Sequence, residues 1–331
     1  MPKTFLISRT DSIGDVILTL PIAGVLKALY PGCKVMFLGK SYTRPVVEAC
    51  TMVDAFYDWN EVAGKGMLAQ SEFLKATTAD VILHIFPNKE IAIAAMKSAI
   101  PLRIGSTGRL WHYWTCNSLV ALSRRRSKLH EAQLNLKLLK PLGYTRELGL
   151  NEIYSYFHLT RFINLDPRMK ALITHDKKNV ILHPLSKGSA REWGMENFIE
   201  LAKLLVPEEY NVFVTGTREE GQDIKSSGIF SIPHVYDLTG RFSLSELIAF
   251  IAEADILVAA STGPLHLAAA MGKRAIGIYP PIKPMHPGRW APIGPKAVYI
   301  VSDKPCSDCR YGGDCHCMKE ITPGRLLEYC H

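Results

Sequence analysis

Short apolar runs alternate with segments of helical periodicity through both halves of the chain. Runs in the first half with the length and apolar character of buried strands are Thr4–Ser8, Lys34–Leu38, Ala55–Trp59 and Asp80–Phe86. The second half repeats the pattern with Asn179–His183, Asn211–Thr215, Asp255–Ala260 and Arg274–Tyr279. Helical periodicity fills the intervals, over Val16–Tyr30, Pro45–Cys50, Ile91–Ser98, Met195–Val206 and Leu244–Glu253. This alternation predicts an α/β fold with parallel, doubly wound sheets, one in each half.

The length of 331 residues and a hydrophobic content of 47% suit two α/β domains of ordinary size. We expect an N-terminal Rossmann-like domain over residues 1–160 and a C-terminal one over 177–318, followed by a tail over 319–331. The polar, lysine-containing stretch Tyr154–Lys178 includes Pro167 and is the candidate linker. Ligands of open α/β sheets bind beyond the carboxyl ends of the strands, so a cleft between two such domains predicts a nucleotide or sugar-nucleotide enzyme.

The formal net charge of +8 favours acidic ligands such as nucleotide diphosphates, phosphorylated glycans or an anionic membrane surface. The densest basic run, Arg124–Arg126 with Lys128, is expected to form a solvated face, with contact to an acidic substrate or lipid headgroups as the alternative. Nucleic acid is not an expected partner, because the chain has no zinc-finger, helix-turn-helix or ribonucleoprotein signature.

No apolar run reaches the roughly 20 residues of a membrane span, and the apolar start is too short for a signal peptide. We therefore expect a cytoplasmic protein, with peripheral contact at the inner face of the membrane as a further possibility.

Eight cysteines are spread unevenly along the chain. The isolated Cys33, Cys50 and Cys116 are expected to be buried, reduced thiols. The spacing near the C-terminus resembles a metal knuckle, although its second pair is too close for the usual zinc pattern. Either a metal site or a compact reduced loop is compatible with Cys306, Cys309, Cys315 and Cys317.

Two nucleotide-binding fingerprints are missing from the chain. Neither half has a Gly-x-Gly-x-x-Gly turn after its first strand, which argues against a nicotinamide or flavin dehydrogenase. A Gly-x-x-x-x-Gly-Lys-Ser/Thr loop is also missing, which excludes a P-loop NTPase.

The segment from Ala260 to Gly272 reads as a strand end, a glycine turn and a short helix. Its start and stop signals are Ser261 or Thr262 as N-cap, Pro264 in the first turn and Gly272 past the end. Free backbone N–H groups and the helix dipole suit this turn to a phosphate, and His266 could donate to a phosphate oxygen. An ordinary strand–helix crossover, with the histidine packing locally, is the alternative.

A second glycine-containing loop, Arg9–Asp15, follows the first strand and leads into a helix expected from Val16. Asp11 can cap that helix. Asp15 lies at the carboxyl end of the strand, where a carboxylate can accept a proton from an incoming hydroxyl group. The loop therefore offers a candidate general base, provided that the geometry brings Asp15 to the nucleophile.

Four segments together carry a resemblance to a known family. They are Thr10–Pro21, Ala190–Phe198, Ser261–Gly272 and Cys315–Pro323. In this order and spacing they resemble, respectively, the opening, the basic-residue-plus-Trp segment, the C-terminal donor motif and the tail of glycosyltransferase family 9. That family contains the ADP-heptose:lipopolysaccharide heptosyltransferases, and the resemblance covers nearly the whole chain.

The resemblance implies a GT-B fold, with two facing Rossmann-like domains and an interdomain cleft. It also implies inverting, metal-independent transfer without a cofactor, of a sugar such as heptose from ADP-heptose to a lipopolysaccharide-core or related lipid-linked acceptor. By the same resemblance, Asp15 falls on the catalytic carboxylate, and Arg9, Asp11 and Gly14 lie on the acceptor side. The implied donor-binding residues are Arg191, Glu219 or Glu220, Ser261, Thr262, Gly263 and His266.

Three positions depart from the family pattern. Arg191 stands where the family usually has Lys, Ser261 where the better-known heptosyltransferases carry Asp, and Asp11 where they carry a small polar residue. The last two bear on the identity of the sugar more than on glycosyl transfer. A sugar-nucleotide epimerase or hydrolase of the same fold, and a non-catalytic sugar-nucleotide-binding protein, are the alternative functions.

Overall fold

The structure, a computed structural model, describes residues 2–283, 285–303 and 316–331. The chain divides into two compact units, Met1–Arg161 and Phe162–His331. Each unit is built around its own parallel sheet, in agreement with the α/β prediction.

In the described part of the first unit, six parallel strands form the sheet. They are β1 (Thr4–Ser8), β2 (Lys34–Gly39), β3 (Ala55–Asp58), β4 (Val81–His84), β5 (Leu102–Ser106) and β6 (Ser118–Val120). Their order is β3-β2-β1-β4-β5-β6, which is that of a doubly wound Rossmann sheet. The helices are α1 (Ile13–Ile17), α2 (Pro21–Leu29), α3 (Arg44–Glu48), α4 (Met67–Lys75), α5 (Lys89–Lys97), α6 (His112–Thr115), α7 (Glu131–Lys137) and α8 (Leu150–Tyr154).

The described part of the second unit has the same arrangement. Its strands are β7 (Lys178–His183), β8 (Tyr210–Val214), β9 (Val235–Asp237), β10 (Ile256–Ala260), β11 (Arg274–Tyr279) and β12 (Val298–Val301). They lie in the order β12-β11-β10-β7-β8-β9. The helices are α9 (Pro167–Lys170), α10 (Met195–Leu204), α11 (Arg218–Ser226), α12 (Leu244–Glu253), α13 (Gly263–Ala270), α14 (Pro287–Trp290), α15 (His316–Lys319) and α16 (Pro323–Leu327).

The central strands are buried on both faces because helices cover each sheet from both sides. Side chains of β1 such as Phe5, Leu6 and Ile7 have no exposed surface, and the same holds for Val212 and Phe213 of β8. Continuous apolar runs of this kind are typical of parallel sheets, which explains why inner strands such as β1 and β8 were recognisable from the sequence.

The predicted helix Val16–Tyr30 is wrong as a single element. The structure has two helices, with the first beginning at Ile13 and the second at Pro21. Pro21 has no N–H to donate to the preceding turn, but its fixed φ suits the first position of a new helix. The break leaves Gly14 and Asp15 inside α1 and not on a loop that precedes it.

The C-terminal segment that the sequence analysis set apart as a tail packs into the second unit. Ile321, Leu326 and Cys330 belong to its hydrophobic core. The indole of Trp193 is fully buried and donates its Nε1–H to the Ile321 carbonyl at 2.8 Å. The last residues therefore hold the chain that enters α10. Among the described residues, no helix combines the length and apolar character needed to cross a bilayer.

Two buried imidazoles, one in β4 and one in α6, pack close together in the first unit. His84 ends β4, and its ring centroid lies 5.7 Å from that of His112. Neither ring nitrogen of His84 has a hydrogen-bond partner among the described residues. Burial, together with the nearby His112 and Arg103, lowers the pKa of His84 to about 3. The native state therefore keeps this imidazole neutral where an unfolded chain would protonate it.

The buried His84 imidazole predicts that the first unit becomes less stable at acidic pH. Above the unfolded-state pKa of about 6.5, a histidine with a lowered native pKa does not change the free energy of unfolding. Below that pH the unfolded chain binds a proton that the native state does not, so the native state loses stability as the pH falls. The free energy of unfolding should therefore lose ~1.4 kcal/mol per pH unit for this proton. Urea denaturation between pH 7 and 5 should show a shallower decline in His84→Phe than in the wild type. An equal decline in both proteins would contradict this assignment, and exposed His175→Phe should behave as the wild type.

Candidate active site

Each of the two groups of predicted site residues follows a strand at the switch point of its sheet, where the strand order changes direction. In the first unit this point lies between β1 and β4, and the segment Arg9–Asp15 follows β1. In the second unit it lies between β7 and β10, and Ser261–His266 follows β10. Ligands of open α/β sheets bind outside the carboxyl ends of the strands at such switch points. Both groups are therefore positioned to meet a ligand.

Arg9 is the centre of the first group. Its guanidinium is 3% exposed and bonds three carboxylates: Asp11 at 2.7 Å, Glu131 at 3.2 Å, and Asp15. Burial alone would lower the pKa of Arg9, but the three carboxylates raise it above its usual value. The guanidinium is a permanently charged anchor for the acidic groups around it.

Glu131 links this anchor to a second arginine. Its carboxylate is 1% exposed and also accepts the Nε–H of Arg124 at 2.9 Å. Arg124 donates further to the carbonyl of Ile85 at 3.0 Å and to Asn135 at 3.1 Å. Two cations and three carboxylates thus share one network that ties the loops after β1, β4 and β6 to the first turn of α7.

Asp15 is, with Asp11, one of the two partly exposed carboxylates of the network. It lies in the first turn of α1, is 19% exposed, and accepts from Arg9 through one oxygen and from the Ser12 hydroxyl through the other. A carboxylate has about four acceptor positions, so both oxygens keep lone pairs for a further partner. Its backbone carbonyl accepts from Thr19 at 2.8 Å, which helps to fix the turn.

The predicted capping role of Asp11 is wrong. Ser12 holds the N-cap position of α1, without a side-chain cap bond, and the Asp11 carboxylate faces Arg9. The hydroxyl of Tyr42 donates to the Asp11 carbonyl. Burial, opposed by Arg9 and reinforced by the charge of Asp15, raises the pKa of Asp11 to about 6.

Two predictions for basic residues also need correction. The predicted contact of Arg9 with the acceptor does not fit a guanidinium that is 3% exposed and paired with three carboxylates. The expected solvated face contains exposed Arg125, Arg126 and Lys128, but Arg124 points into the network instead.

The second group surrounds the start of α13. Thr262 is the N-cap residue, Pro264 lies in the first turn, and Gly272 has a φ of +76°, as the start and stop signals predict. The backbone N–H groups of Gly263 and Leu265 fall in this first turn, where a helix offers them no acceptor of its own. Together with the positive end of the helix dipole, these groups suit the turn to an anion, as the sequence predicts.

Three side chains line this turn differently. The Thr262 hydroxyl is buried and has no hydrogen-bond partner among the described residues, so it can donate to a ligand. His266 is 3% exposed and lies one helical turn further on. Ser261 is half-buried and lies near Tyr279 of β11, whose hydroxyl donates to the Trp290 carbonyl at 2.6 Å.

Arg191 follows the loop after β7, the neighbour of β10 in the sheet, and is half-buried. Its position is set from both sides. Glu192 accepts the backbone N–H of Ser186 at 2.8 Å, which closes the loop, and Trp193 anchors the chain to the C-terminal segment. Two hydrogen bonds, one of them fully buried, therefore fix the segment that carries Arg191 after β7.

The structure separates the two glutamates that the resemblance left ambiguous. Glu220 is buried and accepts the Thr217 N–H at 2.7 Å, while the Thr217 hydroxyl caps the Glu220 N–H. This reciprocal capping box commits Glu220 to the start of α11. Glu219 is exposed and pairs with Lys187 at 3.2 Å, so its carboxylate is the one that a ligand can reach.

The candidate metal ligands divide between described and undescribed residues. Cys306, Cys309 and Cys315 lie outside the described residues. Cys317 lies in the hydrophobic core of the second unit. Across residues 2–283, 285–303 and 316–331, no group of three or more His, Cys, Asp or Glu side chains is arranged to hold a metal ion. Cys33, Cys50 and Cys116 are buried thiols, as predicted.

Sequence reasoning missed Glu131, Asn135 and Lys187. Glu131 reads as an ordinary acidic residue in the first turn of a helix, and it lies 122 positions from Arg9 along the chain. Only the fold brings such residues together, so no local pattern could have identified them.

The Arg9 network yields a stability prediction. Glu131→Gln leaves the buried guanidinium of Arg9 and the partly buried one of Arg124 with one carboxylate fewer, so it should lower the free energy of unfolding by ~3–5 kcal/mol. Glu147→Gln is the matched control, because it breaks the exposed pair with Lys137 at 3.0 Å and should cost about 0–1 kcal/mol. Urea denaturation of both variants measures the difference. Equal effects would show that the network does not stabilise the first unit.

The comparison with known proteins agrees with this geometry. Residues 67–316 match the profile of glycosyltransferase family 9 (heptosyltransferase). A Haemophilus influenzae protein described as a glycosyltransferase is 27% identical over 299 residues, covering 88% of this chain and 86% of that protein. The lipopolysaccharide core heptosyltransferase OpsX of the same organism is 21% identical, covering 84% and 79% respectively.

A solved structure shows the same fold. Escherichia coli ADP-heptose lipopolysaccharide heptosyltransferase II superposes with a TM-score of 0.75 at 20% identity, covering 99% of this chain and 97% of that one. The expected GT-B fold, with two Rossmann-like domains, is thereby confirmed. Because the family profile covers three quarters of the sequence, the chain belongs to glycosyltransferase family 9 and is a glycosyltransferase.

Proposed function

We propose that this enzyme transfers heptose from ADP-heptose to a lipopolysaccharide-core or related lipid-linked saccharide, with inversion at the anomeric carbon and without a metal ion. The names of the relatives support this choice of donor and acceptor. The observation that carries the proposal is an accessible carboxylate, Asp15, held by a buried arginine at the switch point of the first sheet. Membership of the family favours transfer over the epimerase, hydrolase and non-catalytic alternatives.

In the proposed reaction, Asp15 accepts the proton of the acceptor hydroxyl as that oxygen attacks the anomeric carbon. The bond from this carbon to the diphosphate breaks on the opposite side. Arg9 and Ser12 orient the carboxylate, so a productive geometry exists before the acceptor arrives. Gly14 lies beside it in α1 and adds no side-chain bulk on the acceptor side.

The second unit would hold the donor and stabilise the departing diphosphate. The N–H groups of Gly263 and Leu265, the Thr262 hydroxyl, His266 and Arg191 are the proposed phosphate-binding groups. Fixed donors of this kind can stabilise a developing negative charge without reorganisation. Glu219 would contact the nucleoside, with Glu220 shaping the turn behind it.

Two departures from the family pattern bear on the sugar. Ser261 is shorter than the Asp of the better-known heptosyltransferases and already contacts Tyr279. Asp11 adds a carboxylate beside Asp15, where those enzymes carry a small polar residue. Ser261 lies on the proposed donor side and Asp11 on the proposed acceptor side. Donor assays should therefore compare ADP-heptose with other nucleotide sugars.

Substitution of Asp15 tests the catalytic assignment. Asp15→Asn should lower turnover by ~10²–10⁴-fold, because the amide cannot accept the proton. The dissociation constant of the donor nucleotide, measured by calorimetry, should stay within about twofold since the carboxylate acts on the acceptor. Asp11→Asn is the matched comparison, and its turnover should exceed that of Asp15→Asn. Near-full transfer by Asp15→Asn would refute the assignment.

The two glutamates provide a test of donor binding. Glu219→Ala should weaken the binding of ADP by ~1.5–3 kcal/mol, as expected for a lost hydrogen bond to a charged group, with the melting temperature unchanged. Glu220→Ala should instead lower stability by ~0.5–2 kcal/mol, because the start of α11 loses its reciprocal cap. Calorimetric titration of ADP, UDP and GDP gives the affinities and the base preference. Tighter binding of UDP or GDP than of ADP would exclude the proposed donor.

A further inference from the structure

One stretch of the first unit contains no carboxylate. Between Glu90 and Glu131 the sequence has no Asp or Glu, whereas Lys and Arg recur throughout. The basic residues of this stretch are Lys97, Arg103, Arg109, Arg124, Arg125, Arg126 and Lys128. The stretch includes β5 and β6 and the loops that follow them, so the positive potential is concentrated at one end of the sheet.

Three large apolar side chains are exposed in the same stretch. Leu110 is 84% exposed, Tyr113 59% and Trp114 54%. They are not on a loose loop, because His112 and Thr115 of α6 are fully buried between them and fix the turn. The Thr115 carbonyl also accepts from Arg103 of β5 at 2.8 Å. A rigid turn that presents Leu, Tyr and Trp to solvent is costly unless these side chains meet a partner.

The segment that leads from β5 into the exposed aromatic turn starts beside the segment that leads from β6 into the basic run. The N–H of Thr107 donates to the Val120 carbonyl at 3.0 Å. A Cβ on Gly108 would lie 3.6 Å from the Leu122 carbonyl oxygen. Arg124 turns inward to Glu131, and the side chains of Arg125, Arg126 and Lys128 remain exposed. The segments that lead to the exposed apolar side chains and to the basic run are therefore neighbours where they leave the carboxyl edge of the sheet.

We propose that these six residues, Leu110, Tyr113, Trp114, Arg125, Arg126 and Lys128, form an aromatic–basic patch that docks on an anionic lipid bilayer. Tyr and Trp rings settle at the headgroup level of a bilayer, and nearby Lys and Arg are attracted by anionic lipids. Carboxylates in this stretch would repel anionic lipids, and residues 91–130 contain none. This combination favours a lipid surface over a protein partner, whose interface would need a complementary acidic patch and a packed apolar pocket.

The basic run, and the segment that leads into the aromatic turn, leave the sheet at the same edge as Asp15. All six strands are parallel, and the patch follows β5 and β6 whereas Asp15 follows β1. An enzyme docked through the patch would thus present its candidate base toward the surface that carries a lipid-linked acceptor. In this respect alone the inference rests on the proposed function; bilayer binding itself needs neither donor nor acceptor.

Vesicle sedimentation tests the patch with the full chain. Wild-type protein should bind vesicles of phosphatidylcholine with phosphatidylglycerol, but not vesicles of phosphatidylcholine alone, and binding should weaken as salt is added. R125S/R126S/K128S should reduce the partition coefficient about a hundredfold, as expected for three cations near an anionic surface. Y113S/W114S should reduce it at least about tenfold. The control R168S/K170S/K203S removes three exposed cations from the second unit and should bind as the wild type does.

Tryptophan emission provides an independent readout. Brominated lipids in the same anionic vesicles should quench part of the wild-type emission, and Trp114→Phe should remove that part while the other four tryptophans remain. Failure of the wild type to bind anionic vesicles at low salt would overturn the inference, as would wild-type binding by either patch variant. Because the vesicles contain no saccharide, these results do not depend on the transfer reaction. A failed transfer assay with normal vesicle binding would refute only the proposed function.

Discussion

The buried guanidinium of Arg9 is the interaction on which the first half of this enzyme depends. It holds Asp11, Asp15 and Glu131 within reach of one another, and Glu131 carries the connection to Arg124 and α7. Without this cation, three carboxylates at one sheet edge would repel one another in a poorly solvated position. The same arrangement leaves only Asp15 and Asp11 partly accessible, so the charge that stabilises the fold also orients the candidate base.

Both units have the same sheet topology, but their candidate functional segments differ in chemistry. Their sheets have the same strand order, and in each the functional segment follows a strand at the reversal point. The first unit places an ion-pair network there, which suits proton transfer. The second places a helix N-terminus there, with a buried Thr262 hydroxyl that has no partner among the described residues, which suits a diphosphate. In the proposed reaction these two edges serve the acceptor and the donor respectively.

The strength of each local sequence pattern, such as an apolar run or a residue that ends a helix, explains how far the structure could be predicted. Inner strands such as β1 and β10 were recognisable because their apolar runs are continuous, and α13 because Pro264 and Gly272 mark its ends. The inner strand β5 and the short edge strands β6, β9 and β12 have short or interrupted apolar runs and were missed. The break at Pro21 was overlooked because helical periodicity continues across it. Asp15 was predicted from its motif, but Glu131, which shares the Arg9 guanidinium with it, is distant in sequence. Glu219 and Glu220 differ in burial, which no local pattern reveals.

The most direct test is to measure ADP release from ADP-heptose with and without a lipopolysaccharide-core acceptor, using a chelator to remove divalent cations. The account predicts ADP release that depends on the acceptor, persists in the chelator, and is matched by an equal amount of glycosylated product. Release at the same rate without an acceptor would identify a hydrolase or epimerase instead. No release under any of these conditions would contradict the assignment of donor and acceptor.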